Sequence, residues 1–149
     1  VLRDVPFDTF LAKLPECRRQ CGDRAVLRAF HIYADNDRVA KQVAALREGD
    51  FSTFLRLVNE SGHSSWEYLQ NVIPAGYKEH QEMGVTIAAA KHYLNGKGAV
   101  RVHGGGFAGT AQAFVPVEML ADFKKNMEAI LGEGRCHVLS IRPEGGAVL

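Results

Sequence analysis

The sequence predicts an α+β domain, and three observations carry that prediction. Apolar residues recur at helical spacing from Pro6 to Leu94. Two short stretches of alternating character, Ala99–His103 and Thr110–Val115, then flank a glycine cluster. A helical stripe and a last apolar stretch, Cys136–Ile141, complete the chain. Helices first, then strand, glycine loop, strand, helix and strand is the order of an antiparallel sheet backed by helices.

Phe7, Phe10, Leu11 and Leu14 share one helical face near the N-terminus. A long helix is expected from about Asp23, with Val26, Phe30, Tyr33, Ala40, Val43 and Ala44 as its apolar stripe. Arg28, Asp35, Arg38 and Gln42 are expected to face water, and the helix should end at Glu48-Gly49. Asp50 reads as the N-cap of a helix carrying Phe51, Phe54, Leu55 and Val58 on one side. Ser64-Ser65-Trp66-Glu67 fits a capping box, opening a helix that buries Tyr68, Leu69, Val72 and Ile73 and stops at Pro74. A further helix is expected from about Gly76 to Leu94, closed by Asn95-Gly96 in left-handed geometry. Pro116 suits the first turn of a helix burying Val117, Leu120, Phe123, Met127, Ile130 and Leu131, with Gly132 after it. "PEGGAVL" reads as a tail or a terminal strand.

The 149 residues suit one domain, with 46% hydrophobic and 23% charged residues. A net charge of +1 gives no electrostatic argument for nucleic acid or an anionic membrane. No apolar run reaches transmembrane length, and no signal peptide is visible. The three cysteines, Cys17, Cys21 and Cys136, form no disulfide framework and point to a reducing, cytoplasmic setting. None of the six histidines has metal-ligand spacing with another, so no metal site is expected. Trp66 and Tyr68 are expected to pack in the core, with sugar stacking as a second reading ranked well behind it.

"RVHGGGFAGTAQAFV", Arg101 to Val115, places three glycines in a row. Glycine inside regular structure loses roughly 0.5–1 kcal/mol relative to alanine. Gly104, Gly106 and Gly109 formally match G-x-G-x-x-G, but "TAQAFV" alternates like a strand where a dinucleotide site needs a helix. Two readings stay open. One is a hairpin connection that needs positive φ. The other is a backbone surface lying against a ligand or another loop.

With its surroundings, this segment resembles the third conserved motif of the GHMP kinases in its galactokinase form, R-x-x-G-G-G-F closely followed by a glycine. "RAFHIYADNDRVAKQVAALREGDFSTFLRLVNES" resembles the galactokinase helix with R-A-x-H-x-x-x-E-x-x-R-V, leading to A-L-R-x-G-D and F-x-x-L-M-N-x-S. "HVLSIRPEGGAVL" is similar to the family's last strand. The resemblance spans nearly the whole chain and implies a ferredoxin-like C-terminal lobe with added N-terminal helices, over residues 1–149. The family's phosphate loop and catalytic Asp lie in an N-terminal lobe, and neither motif is present here; Val1 at the start fits a fragment.

The resemblance further implies transfer of the ATP γ-phosphoryl group to the anomeric hydroxyl of galactose, with ATP and Mg²⁺ held by the full-length enzyme and none by this chain alone. This chain alone is expected to be inactive, with no catalytic residue of its own. Its partners would be galactose, ATP and the N-terminal lobe, with self-association through the face that lobe covers. Gly104, Gly105, Gly106, Phe107 and Gly109 match the loop beside the phosphate loop, and His103 directly precedes it. Ala108 stands where many galactokinases have glycine, and Gly62 where they have the histidine of S-H-x-S, leaving His63 as a cap-region residue. The alternative is a non-catalytic sugar sensor or partner-binding module on the same scaffold. An intact phosphate loop and catalytic Asp in an N-terminal lobe would decide for the kinase.

Overall fold

A computed structural model describes residues 1–107, 109–141, 143 and 144. The α+β class holds: six α-helices accompany one two-stranded antiparallel sheet among these residues. The helices are α1 (Phe7–Ala12), α2 (Leu14–Cys21), α3 (Asp23–Glu48), α4 (Phe51–Ser64), α5 (Glu82–Leu94) and α6 (Leu120–Leu131). The strands are β1 (Ala99–Val102) and β2 (Ala111–Phe114).

The helix signals at α3 and α4 act as expected. Gly49 ends α3 in the left-handed region at φ 71°. The Asp50 carboxylate then accepts the Thr53 N–H at 2.9 Å, which satisfies one of the orphan donors of α4. Asn95 and Gly96 close α5 at φ 45° and 76°. The N-terminal aromatics form their own cluster, Phe10 meeting Phe30 edge-on with centroids 5.1 Å apart, and Tyr33 donating to the Val5 carbonyl at 2.9 Å.

Several local readings need correction. Ser64 does not cap a new helix. It is the last residue of α4, in helical geometry, and a π-helical turn, Ser65–Leu69, follows directly. That turn stops at Gln70, left-handed at φ 56°, before Pro74 is reached. Trp66 and Tyr68 are each 40% exposed, so they are not core residues. Trp66 instead lays its ring over Gly84 of α5, where an added Cβ would meet it at 3.4 Å. Helix α5 begins at Glu82, because Gly76 sits at φ 88°, which a helix does not accept. In α3 the stripe holds at Val26, while Ala40, Val43 and Ala44 are exposed. Val117 is 86% exposed at the tip of a 3-10 turn ahead of α6, and Ile130 is exposed as well.

The hairpin forms in the expected place, with Ala99 opposite Phe114 and Val102 opposite Ala111. Cys136–Ile141 does not join it; this stretch carries no strand. The Glu128 carboxylate accepts the Gly134 N–H at 3.1 Å and the Cys136 N–H at 3.3 Å, so donors at the start of this stretch turn to α6. Alternation marks a segment able to be a strand, but only a free ladder partner makes it one. Of "PEGGAVL", residues 145–149 lie outside the described residues.

The core lies between α5, α6 and one face of the sheet: Val72, Ile87, Ala90, Leu94, Val100, Val102, Phe123 and Met127. Helix α4 packs along the edge of β1 that faces away from β2. There the Asn59 amide donates to the Gly98 carbonyl and accepts the Val100 N–H, both at 3.1 Å. At the entrance to β1, a Cβ on Gly98 would lie 2.3 Å from the Phe114 carbonyl oxygen and 2.7 Å from Leu94 Cδ2. Backbone cannot yield as a side-chain tip can, so Gly98→Ala is expected to lose about 2 kcal/mol of stability in urea unfolding. An unchanged midpoint would show that the hairpin can open at Phe114.

Candidate functional site

The Gly-rich loop is a closed feature of the hairpin. Beyond β1 the His103 N–H donates to the Thr110 carbonyl at 2.9 Å, so the ladder runs one step further and the loop hangs from it. Gly104, Gly106 and Gly109 have φ of 63°, 75° and 80°, which accounts for glycine at each. Gly105 needs neither positive φ nor tight space: an added Cβ would meet nothing within 4 Å. Gly106 needs both, because its Cβ would fall 2.2 Å from the Asn71 carbonyl oxygen. The two readings of the triplet therefore divide among its members. Gly104 and Gly106 serve the turn, Gly106 also serves close packing, and Gly105 presents an open backbone face.

Phe107 continues the loop at φ 46°, an uncommon conformation for a bulky residue, with its ring 49% exposed. Backbone held in such regions stores on the order of 1–3 kcal/mol and clusters at working sites. His103 is exposed at the root of the loop. Thus the structure brings Gly104, Gly105, Gly106, Phe107, Gly109 and His103 into one hairpin tip. Ala108 lies outside the described residues.

Helix α3 carries a polar ladder, of which Arg28, Asp35 and Arg38 were expected to face water. Arg28, His31, Asp35 and Arg38 lie on one face of the helix, and that face is turned inward. Arg28 Nε donates to the Leu69 carbonyl at 3.3 Å, satisfying the end of the π-helical turn. Asp35 Oδ1 accepts from Arg38 Nη1 at 2.6 Å and from the Ser61 hydroxyl at 2.7 Å. Ser61 accepts in turn from Arg101 Nη1 at 2.5 Å, while Arg101 Nε donates to the Val102 carbonyl at 3.1 Å. Asp35 Oδ2 faces His31 Nε2 at 3.3 Å, and His31 Nδ1 meets Ser64 Oγ at 2.9 Å.

Ser64, His31 and Asp35 thus stand in the order of a hydrolase triad. They cannot work as one. Ser64 is 3% exposed, so its hydroxyl has no path to a substrate. Burial holds the His31 imidazole below its ordinary range, against the raising effect of Asp35; Arg38 and Arg101 push the same way as burial. The neutral ring is therefore the resident form, with Nε2–H donating to Asp35 and Nδ1 accepting the Ser64 hydroxyl proton.

The sign of the pH effect follows. The unfolded chain takes up a proton near the ordinary histidine value of 6.5, and the folded chain does not until lower pH. Between those two values the unfolded state binds more protons, so stability falls as pH falls. The urea midpoint should drop from about pH 7 to about pH 5, and His31→Gln should flatten that slope. Equal slopes in both proteins would remove His31 from the acid response.

Asn71 is the second feature that sequence reasoning missed. It is buried, its carbonyl accepts the Phe107 N–H at 3.0 Å, and its Nδ2 donates to the Gly105 carbonyl at 3.2 Å. Nothing in a local pattern marks such a residue. The α3 ladder did leave a signal: Arg28, His31, Asp35 and Arg38 are the polar positions of the R-A-x-H-x-x-x-E-x-x-R-V pattern, at spacing that puts them on one helical face. Gly62, where the pattern has histidine, crosses β1 so closely that a Cβ would lie 3.0 Å from Arg101 Cβ and 3.1 Å from the Val100 carbonyl oxygen. His63, beside it, is exposed in the last turn of α4.

Among the described residues no three His, Cys, Asp or Glu side chains gather as a metal site. No described helix is long and apolar enough to cross a membrane. Burial and the Glu128 carboxylate raise the Cys136 thiol, which keeps it protonated and unreactive.

No protein-family model matches the chain. It is 32% identical over 124 residues to a galactokinase of Mannheimia succiniciproducens and 30% identical over the same length to one of Glaesserella parasuis. A galactokinase of Actinobacillus pleuropneumoniae is 29% identical. Each match covers 83% of this chain and 30% of the relative, so the chain spans less than a third of the proteins it resembles.

Proposed function

We propose, from a chain that is galactokinase-like over 83% of its length, that it serves as the C-terminal lobe of an ATP-dependent sugar 1-kinase. The reaction would move the γ-phosphoryl group of ATP to the anomeric hydroxyl of galactose, in the cytoplasm. The fold would be the ferredoxin-like lobe of a GHMP kinase, its sheet completed beyond the hairpin described here.

The observation that carries this reading is the division within the loop. Gly106 is locked inward on Asn71, while Gly105 turns a face without a side chain outward. Such a face lets a second backbone approach closely. In phosphoryl transfer the protein's work is positioning and charge stabilisation, so a steric wall of backbone is a fitting contribution from this loop. ATP and Mg²⁺ would be held by the N-terminal lobe.

Two measurements test the proposal. The 149-residue chain with ATP, Mg²⁺ and galactose should give no galactose 1-phosphate. A chimera in which this chain replaces the matching segment of the Mannheimia succiniciproducens galactokinase should phosphorylate galactose in preference to other hexoses. A folded chimera that binds sugar without phosphorylating it would favour the sensor reading instead.

A further inference from the structure

We propose that Asn71 is the positioning residue of the Gly-rich loop: it grips the backbone of residues 105–107 from both its main chain and its side chain, and so determines which face of the loop stays open. The consequence for catalysis rests on the kinase reading above; the grip itself does not.

Four observations meet at this residue. Its carbonyl accepts the Phe107 N–H at 3.0 Å, and its amide Nδ2 donates to the Gly105 carbonyl at 3.2 Å. Gly106, between them, leaves no room for a Cβ, which would lie 2.2 Å from Asn71 O and 2.8 Å from its Cγ. Asn71 is 2% exposed, and its Oδ1 has no hydrogen-bond partner among the described residues. A buried acceptor left unpaired is unfavourable, and here it accompanies an amide turned so that its donor reaches the loop. Phe107 is held in the left-handed region at the same place, at φ 46°.

Asn71 is itself well anchored. Val72, next in the chain, belongs to the main core. On the other side Gln70 makes a left-handed turn, its N–H bonded to the Ser65 carbonyl at 2.8 Å. Arg28 of α3 holds the Leu69 carbonyl. The grip therefore connects the hairpin tip to the α3 ladder through a short, fixed segment, and a residue so placed can set the loop without touching a substrate.

Asn71→Asp tests this. It keeps the shape, removes the Nδ2 donor, and sets a carboxylate oxygen against the Gly105 carbonyl. Amide hydrogen exchange followed by NMR on the 149-residue chain gives the first readout. The Phe107 amide, bonded to the Asn71 main chain, should be protected in the unsubstituted chain and exchange at least about tenfold faster in Asn71→Asp, beyond any change in the amides of α3. In the galactokinase chimera the same substitution should lower kcat/KM for galactose at least about tenfold while the melting temperature moves little.

A Phe107 amide that stays protected in folded Asn71→Asp overturns the proposal. So does a Phe107 amide that exchanges freely in the unsubstituted chain, a result that needs no variant. Should Asn71→Asp not fold, Asn71→Ser, too short to reach Gly105, takes its place with the same expectation. A loosened loop with unchanged phosphorylation upholds the grip and counts against the loop's place in the kinase site.

Discussion

Gly106→Ala is expected to lower the stability of the chain by about 3 kcal/mol, while Gly105→Val, one residue away and with a larger side chain, should leave it nearly unchanged. The difference comes from backbone geometry. At Gly106 a methyl group would sit 2.2 Å from the Asn71 carbonyl oxygen, on a backbone at φ 75°. Either the hairpin tip lifts away from Asn71 or the 70–72 segment moves, and both lose hydrogen bonds. At Gly105 an added Cβ meets nothing within 4 Å, and the backbone is not left-handed. For a domain of this size the Gly106 loss corresponds to a melting temperature lower by about 10 °C. In the galactokinase chimera the order should invert: Gly105→Val should depress kcat/KM on the order of a hundredfold in a fully folded enzyme, because it thickens the face the other lobe would approach. Near-normal turnover in folded Gly105→Val would leave the triplet as a turn and nothing more.

Asp35→Ala should be the most damaging single change on the polar ladder, at about 3 kcal/mol. One carboxylate serves Arg38, the Ser61 hydroxyl and His31 together. Its removal leaves a cation, a hydroxyl donor and an imidazole N–H between two helices with no acceptor. Unpaired donors in such a place are disfavoured more strongly than the intact contacts are favoured. Arg38→Ala alone should be milder, since the carboxylate keeps Ser61. The double variant should lose less than the two single losses added, as members of one network do. Strict additivity in urea unfolding would show that Asp35 and Arg38 act independently, and an Asp35→Ala chain as stable as the unsubstituted one would show that the ladder carries no net stability.

Elements bounded by their own chemistry were legible in the sequence. The long helix from Asp23 to Glu48 stops where Gly49 can turn left-handed, and Asp50 caps the next helix, both within a few residues of the signal. The hairpin was legible because alternation on either side of a glycine cluster needs no distant partner to be seen. The ladder face of α3 was not. Helical periodicity separates apolar from polar, but a polar stripe reads as solvent-facing whether water or another polar stripe lies against it. Here α4 and β1 supply Ser61, Ser64 and Arg101 in register. The capping-box reading at Ser64 failed for a related reason: its hydroxyl was already committed to His31, and helical backbone continues from the end of α4 into the π-helical turn. Of the site, the loop residues were legible as a motif. Asn71, which grips them, lies 34 positions before Gly105, a distance over which local pattern is silent.

The contact of Asn59 with β1 makes the two margins of the sheet unequal. Along β1 three of the polar groups that would receive another strand are already taken, Gly98 O and Val100 N by Asn59 and Val102 O by Arg101, and Gly62 of α4 lies against Val100 O. Along β2, by contrast, no strand among the described residues lies on the side away from β1. The sheet can therefore lengthen in one direction only. A strand joining it, whether from this polypeptide or from another copy, must come in beside Ala111–Phe114.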